Sequence, residues 1–252
     1  KRYFKSDWKS DAKFSEQARF TPWPENDPLM HDAASELASK FAISKIQQDQ
    51  WTDDSHSKAM ASRESLKNEI VCLTNANVPY DPYARTLTQE HFRRSNTISG
   101  TITVLNTSVS ADGAAFLVLV SEKVKNSLSV PYALQILDGH TLGGDPSLPA
   151  LAPVAAINHL VIKNRLAPND LALIELMEAY AVQAIVCANE CNVPKERINV
   201  SGGSLSRGHP IGASGAILAV RLFHEFNHKN GIGLAAIAGA GGIASALLVE
   251  KI

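Results

Sequence analysis

The residues best suited to chemistry lie in one glycine-rich stretch, NVSGGSLSRGHPIGASG, which spans residues 199–215 and contains a single histidine, His209. Its five glycines permit positive φ values and let a ligand approach the backbone closely. Pro210 fixes φ directly after the histidine, which predicts an imidazole held on a stiff turn. Such a histidine can act as a general base, an oxyanion donor or an anion contact. It can equally serve only to satisfy loop carbonyls, and the residues alone leave these alternatives open.

Alternating strand-like and helix-like segments surround this stretch. Apolar periodicity in the second half of the chain predicts strands at residues 115–120, 133–138, 171–176 and 198–200. It predicts helices at residues 152–164, 179–190 and 212–226. Two final strands, at residues 233–238 and 243–249, flank the sequence GAGG as a hairpin. This alternation favours an α/β layer in which helices cover a sheet.

The first hundred residues differ in composition and contain all three tryptophans. Apolar residues at intervals of three and four predict helix within residues 30–61, with Ser44 as the N-cap of a second helix. Residues 69–73 form a short strand candidate, and residues 74–97 are predicted to be loop.

Composition excludes some classes of partner. With 24 basic and 25 acidic side chains the net charge is −1, which gives no electrostatic reason to expect nucleic acid or a membrane surface as a partner. No long apolar run or signal peptide pattern is visible, and the three cysteines are typical of reduced thiols, so we expect a cytoplasmic protein. Cys187 and Cys191 lie one helical turn apart without further ligands nearby in sequence, so no metal site is expected.

Five sequence blocks resemble one protein family. The stretch around His209 resembles the GHP signature of the thiolases, and four further blocks agree with that family in order and spacing: LMHDAASELASKFAISKIQQDQW, SGTITVLNTSVSADGAA, LIELMEAYAVQA and GLAAIAGAGGIASALLVE. The resemblance spans nearly the whole chain. The chain is therefore identified as a member of the thiolase family, similar to acetyl-CoA acetyltransferases and 3-ketoacyl-CoA thiolases.

The resemblance implies an α/β fold of two similar βαβαβαββ halves, each with a mixed five-stranded sheet covered by helices, and an inserted helical loop domain that grips coenzyme A. By this comparison residues 1–99 are the loop domain, residues 100–128 end the N-terminal half, and residues 129–252 form the C-terminal half. The segment with the family's nucleophilic cysteine is implied to lie upstream of Lys1, because no cysteine of this chain falls in a matching block.

The resemblance also implies roles at four catalytic positions. His209 matches the histidine that activates the thiolate and helps to bind the thioester oxygen. Ala238 stands where the family has an acid/base cysteine, and Met177 stands where it has an asparagine that holds a water against the oxyanion. Ala240 replaces a glycine whose backbone N–H completes an oxyanion hole, and alanine retains that N–H.

Two binding residues follow from the same comparison. Ser108 matches a serine that contacts the pantetheine arm of coenzyme A, and a turn-capping serine is the alternative interpretation. Arg85 lies close to where the loop domain offers an arginine to the adenine ring, although the spacing slips by about a residue.

The implied function is acyl transfer on acyl-CoA or 3-ketoacyl-CoA thioesters, by thiolysis or Claisen condensation, within fatty acid metabolism. Coenzyme A and acyl-CoA are substrates, and no covalently bound cofactor is implied. Alanine has no titratable proton and methionine donates no hydrogen bond, so Ala238 and Met177 predict an impaired or atypical reaction. The alternative is a catalytically silent subunit that binds acyl-CoA or acts as a scaffold. A homodimer or homotetramer is also implied.

Overall fold

The computed structural model describes residue 21, residues 23–72 and residues 80–252, together with two short paired strands, β1 (Arg2–Tyr3) and β2 (Lys13–Phe14). The helices of this described part are α1 (Met30–Lys40), α2 (Lys45–Ala61), α3 (Arg63–Leu66), α4 (Gln89–Arg94), α5 (Glu122–Ser127), α6 (Ala152–Lys163), α7 (Ala181–Glu190), α8 (Ser204–Arg207) and α9 (Ser214–Glu225). The remaining strands are β3 (Thr97–Ser99), β4 (Ile102–Thr103), β5 (Leu134–Gly143), β6 (Leu171–Leu176), β7 (Ile232–Gly239) and β8 (Ile243–Lys251). None of the described helices is both long and apolar enough to cross a bilayer.

A mixed sheet with strand order β5-β8-β7-β6 forms the centre of the described fold. β6 runs parallel to β7, and β8 runs antiparallel to both β7 and β5. Residues 198–200, predicted as a strand, contribute a single parallel bridge between Ile198 and Ile174 beside β6. The pairing stops there because Asn199 adopts a φ of 45° and turns the chain away from the sheet. The predicted α/β architecture is confirmed, with a fifth strand reduced to this bridge.

The sheet is buried on both faces because side chains alternate along β6. Ile174 and Leu176 lie in the larger apolar cluster, which includes residues of α1, α2, α6 and α7. Leu173 and Met177 point the other way and pack against α9. Burial on two faces matches the nearly continuous apolar sequence of this strand. The carboxyl end of β6 is therefore held between two helical layers.

The helices predicted within residues 30–61 are confirmed as α1 and α2. Ser44 is the N-cap of the second helix, since its side chain accepts from the Gln47 N–H while the Gln47 side chain accepts from the Ser44 N–H. This reciprocal capping box satisfies two backbone donors at the helix start.

Two predictions for the following region are wrong. Glu69 is in a turn rather than a strand, because the N–H groups of Glu69 and Ile70 both donate to the carbonyl of Leu66 (3.1 Å each) and continue the helical turn of α3. Leu73 and residues 74–79 lie outside the described residues. The rest of the predicted loop, residues 80–97, contains the short helix α4, whose first turn is capped by Thr88.

The strand predicted at residues 115–120 is also absent. This segment has no regular structure, and Phe116 and Val118 are 90% and 89% exposed. A strand is stabilised by backbone hydrogen bonds to a neighbour, and no described strand pairs with this segment. Apolar sequence alone is therefore not sufficient to form the ladder.

Candidate active site

Two of the predicted catalytic positions, Met177 and Ala238, lie at the carboxyl ends of β6 and β7. Met177 follows β6 directly, and its N–H donates to the carbonyl of Ala236 on β7 (3.0 Å). Ala238 lies two residues further along β7 and is paired with Ala244 of β8. Parallel strands place their carboxyl ends at the same edge of a sheet, which is where α/β folds commonly bind ligands.

The loop that carries His209 takes its shape from one asparagine and two glycines. The Asn199 side chain pairs with the backbone of Leu176, accepting from its N–H (2.8 Å) and donating to its carbonyl (2.9 Å). Gly202 and Gly208 adopt φ values of +84° and +92°. A Cβ at Gly208 would stand 2.8 Å from the Cβ of Ala111, so this position needs glycine for both space and conformation.

A buried carboxylate fastens this loop to the rest of the fold. Glu178, which is 1% exposed, follows Met177 and accepts hydrogen bonds from the side chains of Trp51 (3.0 Å), Ser55 (2.9 Å) and Asn199 (2.7 Å). It also accepts from the backbone N–H of Leu205 (3.3 Å). One side chain thus joins α2, the end of β6 and the His209 loop.

His209 itself is half-buried and held at both its backbone and its ring. Its N–H donates to the carbonyl of Val109 (2.7 Å), and its Nδ1 lies 2.7 Å from the hydroxyl of Ser214. That hydroxyl donates to the carbonyl of Pro210 (3.1 Å), so it can accept from an Nδ1–H group. The network therefore assigns the proton to Nδ1 and leaves Nε2 with a free lone pair.

Burial lowers the pKa of His209 below its ordinary value. The imidazole is therefore neutral at physiological pH, with its acceptor nitrogen available as a base. A cavity of about 460 Å³ opens beside this turn, between residues 111–115 and residues 210–213. The small side chains that line it allow a ligand to come close to the backbone.

Met177 and Ala238 both carry apolar side chains. Met177 is 2% exposed and packs with Leu218 and Leu222 of α9, and the Ser204 hydroxyl lies 3.5 Å from its sulfur. Ala238 is half-buried on β7. Neither side chain can donate a proton or orient a water.

Ala240 and Arg85 are placed differently from the group around His209. Ala240 is exposed in the tight turn between β7 and β8, where Gly241 and Gly242 adopt positive φ values. The Arg85 guanidinium stacks 4.4 Å from the centre of the Tyr83 ring and donates to the Tyr83 carbonyl (3.1 Å). The structure thus engages Arg85 with its own neighbour.

Ser108 lies close to the catalytic edge. Its backbone N–H and its hydroxyl both donate to the carbonyl of Ala179, each at 3.0 Å. Ala179 is two residues beyond Met177, and Val109 accepts from His209, so this segment bridges two parts of the site. This contact spans 71 residues and so is not the local turn cap of the alternative interpretation, and the Ser108 oxygen retains lone pairs for a ligand.

The two buried cysteines do not contribute a nucleophile to this edge. Cys187 and Cys191 are buried in α7 and at its end, and burial raises the pKa of Cys191 to about 12 and that of Cys187 well above its ordinary value. They are protonated and unreactive thiols. Cys72 is exposed, far along the chain from the site residues. Within residues 21, 23–72 and 80–252, no group of three or more His, Cys, Asp or Glu side chains is arranged for a metal ion.

Sequence reasoning missed the residues that support His209. Ser214 is one of several small residues after the GHP motif, and its position five residues from the histidine gave no periodic signal. Trp51 and Ser55 lie one turn apart on α2, a spacing that places both on the face towards Glu178. The spacing is visible in the sequence, but the shared partner is not. Glu178 lies 127 residues from Trp51 and 123 residues from Ser55.

Comparison with known proteins identifies the family. The family model "Thiolase, N-terminal domain" matches residues 23–123, and "Thiolase, C-terminal domain" matches residues 131–251. YhfS of Bacillus subtilis, whose name provisionally describes an acetyl-CoA C-acetyltransferase, is 36% identical over 254 residues, covering 97% of this chain and 70% of that protein. The chain belongs to the thiolase family.

Solved structures agree with this assignment. The acetyl-CoA acetyltransferase of Bacillus anthracis superposes with a TM-score of 0.84 at 29% identity, over 91% of this chain and 61% of that one. The Acat5 thiolase of Ascaris suum, solved in complex with coenzyme A, gives a TM-score of 0.80 at 27% identity, over 91% and 62%. This chain thus spans less than two thirds of these structures.

The Ser214 contact predicts a measurable tautomer preference. In Ser214→Ala the Nδ1–H of His209 loses its acceptor, so we expect the ring to redistribute towards the Nε2–H form, as measured by ¹⁵N chemical shifts of the imidazole. Ser127→Ala, at an exposed position in α5, is the matched control and should leave the His209 shifts unchanged. Unaltered shifts in Ser214→Ala would contradict the assigned hydrogen bond.

The Glu178 contacts predict a large loss of stability on truncation. Glu178→Ala removes the acceptor that four buried donors share, and Trp51 and the Leu205 N–H have no other acceptor among the described residues, so we expect the free energy of unfolding to fall by roughly 3 kcal/mol in urea titrations. Glu190→Ala, at an exposed position in α7, should change it by less than about 0.5 kcal/mol. Equal effects of the two substitutions would refute the structural role of Glu178.

Proposed function

We propose that the chain is part of a thiolase-family acyltransferase that acts on acyl-CoA and 3-ketoacyl-CoA thioesters. The observation that supports this most strongly is the neutral His209 imidazole, braced by Ser214 with its Nε2 free and tied by its backbone to Val109, next to the Ser108 that bonds to Ala179. An imidazole in this state can accept the proton of a thiol and stabilise the resulting thiolate.

The proposed division of the chain follows the family. Residues 1–99 would be the loop domain that grips coenzyme A, residues 100–128 the end of the N-terminal half, and residues 129–252 the C-terminal half. The acyl-accepting cysteine would come from the part of the relatives that this chain does not span. Ser108 is proposed to contact the pantetheine arm. Arg85 is proposed to stack on the adenine ring in place of the Tyr83 ring.

The proposed reaction is slow or altered compared with its relatives. Loss of one oxyanion-hole donor typically costs about 3 kcal/mol of transition-state stabilisation, and Met177 supplies none. General acid/base catalysis contributes roughly 10²- to 10⁴-fold, and Ala238 cannot provide it. The backbone N–H of Ala240 is proposed as the remaining oxyanion donor from the β7–β8 turn.

A homodimer or homotetramer, a cytoplasmic location and a place in fatty acid metabolism belong to the same proposal. No covalently attached cofactor and no metal take part in it, and coenzyme A enters only as a substrate. The balanced net charge of −1 supports neither nucleic acid nor a membrane surface as a partner.

A catalytically silent acyl-CoA-binding subunit is the second candidate, and Met177 together with Ala238 favours it. It predicts coenzyme A binding in calorimetry without release of free coenzyme A from labelled acetyl-CoA. Under this candidate the parent protein shows no turnover, and a Met177→Asn, Ala238→Cys double variant would gain it. Under the first candidate, the double variant would raise a turnover that the parent already shows.

His209 provides the direct test in a protein that joins this chain to the family's cysteine segment. His209→Ala should lower acyl transfer from labelled acetyl-CoA by roughly 10²-fold or more because the base is removed. His228→Ala, at an exposed position after α9, is the matched control and should retain parental activity. Acyl transfer is measured as the acyl adduct detected by intact-mass spectrometry. Unchanged transfer in His209→Ala would overturn the proposal.

The pH profile of the same protein follows from the lowered pKa of His209. The base must be neutral to accept a proton, so activity should be lost as the pH falls through that pKa. Because burial shifts the pKa below its ordinary value of about 6.5, the acidic limb should lie below pH ~6.5. An acidic limb above that value in initial-rate measurements would contradict a buried, neutral His209.

A further inference from the structure

A buried cluster of charged side chains lies between the turn after α3 and the base of the His209 loop. It is formed by six residues, here called the charge cluster: Glu69, Asp81, Glu175, Arg207, Arg221 and Glu225. Glu69 lies in the turn after α3, and Asp81 lies in the segment before α4. The other four residues come from β6, α8 and α9. The cluster therefore joins segments that are more than a hundred residues apart in the chain.

Arg221 is the central cation. Its side chain is 3% exposed, and its guanidinium donates to the carboxylates of Glu69 and Glu225. Glu225 also accepts from the hydroxyl of Ser201, which lies in the His209 loop. The Glu69 contact fastens the turn after α3 to α9, and α9 begins with the serine that holds His209.

Glu175 is the member whose charge is least compensated. Its side chain is 2% exposed, and its Oε2 atom lies 3.9 Å from the Arg207 guanidinium without a hydrogen-bond partner among the described residues. Arg207 Nη1 and Arg221 Nε are likewise without a described partner. Lys58 of α2 also acts on Glu175, but its ammonium group is bound to the carbonyl of Ile198 (2.9 Å).

The cluster holds four acids and two arginines, so its acids outnumber its cations. This excess of buried negative charge favours the neutral form of an acid. Burial raises the pKa of Glu175 to about 7, against the opposing effect of Arg221 and Arg207, and Glu225 and Glu69 raise it further. Burial also raises the pKa of Asp81. Glu175 thus titrates within the physiological range.

We propose that the charge cluster is a proton-dependent fastening between residues 66–70 and α9. While Glu175 is neutral, Glu69 and Glu225 share Arg221. When Glu175 ionises, residues 66–70 loosen from α9. A second buried carboxylate charge competes for the same guanidinium and repels Glu69. A group whose pKa is raised on folding stabilises the folded contact most at low pH, and that stabilisation is lost as the pH rises through its folded pKa. This device is independent of the acyl transfer proposed above.

Hydrogen–deuterium exchange of the 252-residue chain at pH 6 and pH 8 tests the fastening. After correction for intrinsic exchange rates, protection of the amides of residues 66–70 should fall by roughly tenfold or more at pH 8. Glu175→Gln should keep the higher protection at both pH values, whereas Glu190→Gln should behave as the parent. Amides of α7 serve as the internal reference and should change by less than about twofold.

Glu69→Gln provides an independent variant in case Glu175→Gln does not fold. It removes the carboxylate that Arg221 holds, so protection of residues 66–70 should be low at both pH values. The proposal is overturned if the parent shows no pH dependence in these amides, if α7 changes by the same factor, or if either variant retains the parental response.

Discussion

The rest of the site depends on the hydrogen bonding of one buried carboxylate. Glu178 is removed from water, so its carboxyl oxygens need hydrogen-bond donors, and four of them converge on it. They come from α2, from Asn199 and from the backbone of α8. Because each donor is also held by its own element, the carboxylate fixes where helix, strand end and glycine loop meet. Gly203 has no side chain for a related reason, since a Cβ there would stand 2.0 Å from the Glu178 carboxylate.

This constraint explains how His209 is presented. The loop leaves the sheet at Asn199, contacts Glu178 through the Leu205 N–H and turns at Gly208, so that His209 bonds to the Val109 carbonyl. Ser214 then sets the ring tautomer from the first turn of α9. This arrangement leaves a neutral imidazole whose Nε2 can accept a proton.

Local patterns were enough to predict much of the framework. The apolar run of β6 and the Ser44 cap of α2 are short-range signals, and both have the predicted structure. Residues 115–120 have an equally strong apolar pattern and form no strand, because a ladder needs a neighbour that a local pattern cannot show. The contacts of Glu178 with Trp51 and of Arg221 with Glu69 span 127 and 152 residues, which sequence periodicity does not detect. Ser108 was located at the site by family resemblance, and only the structure shows its hydroxyl on the Ala179 carbonyl.

The most direct test of the central claim, that this edge is an acyl-CoA site organised around His209, is a crystal structure of the protein with coenzyme A. The account predicts that the coenzyme A sulfur lies within hydrogen-bond distance of His209 Nε2, with the pantetheine arm passing Ser108. Coenzyme A bound with its sulfur away from His209 would contradict the account.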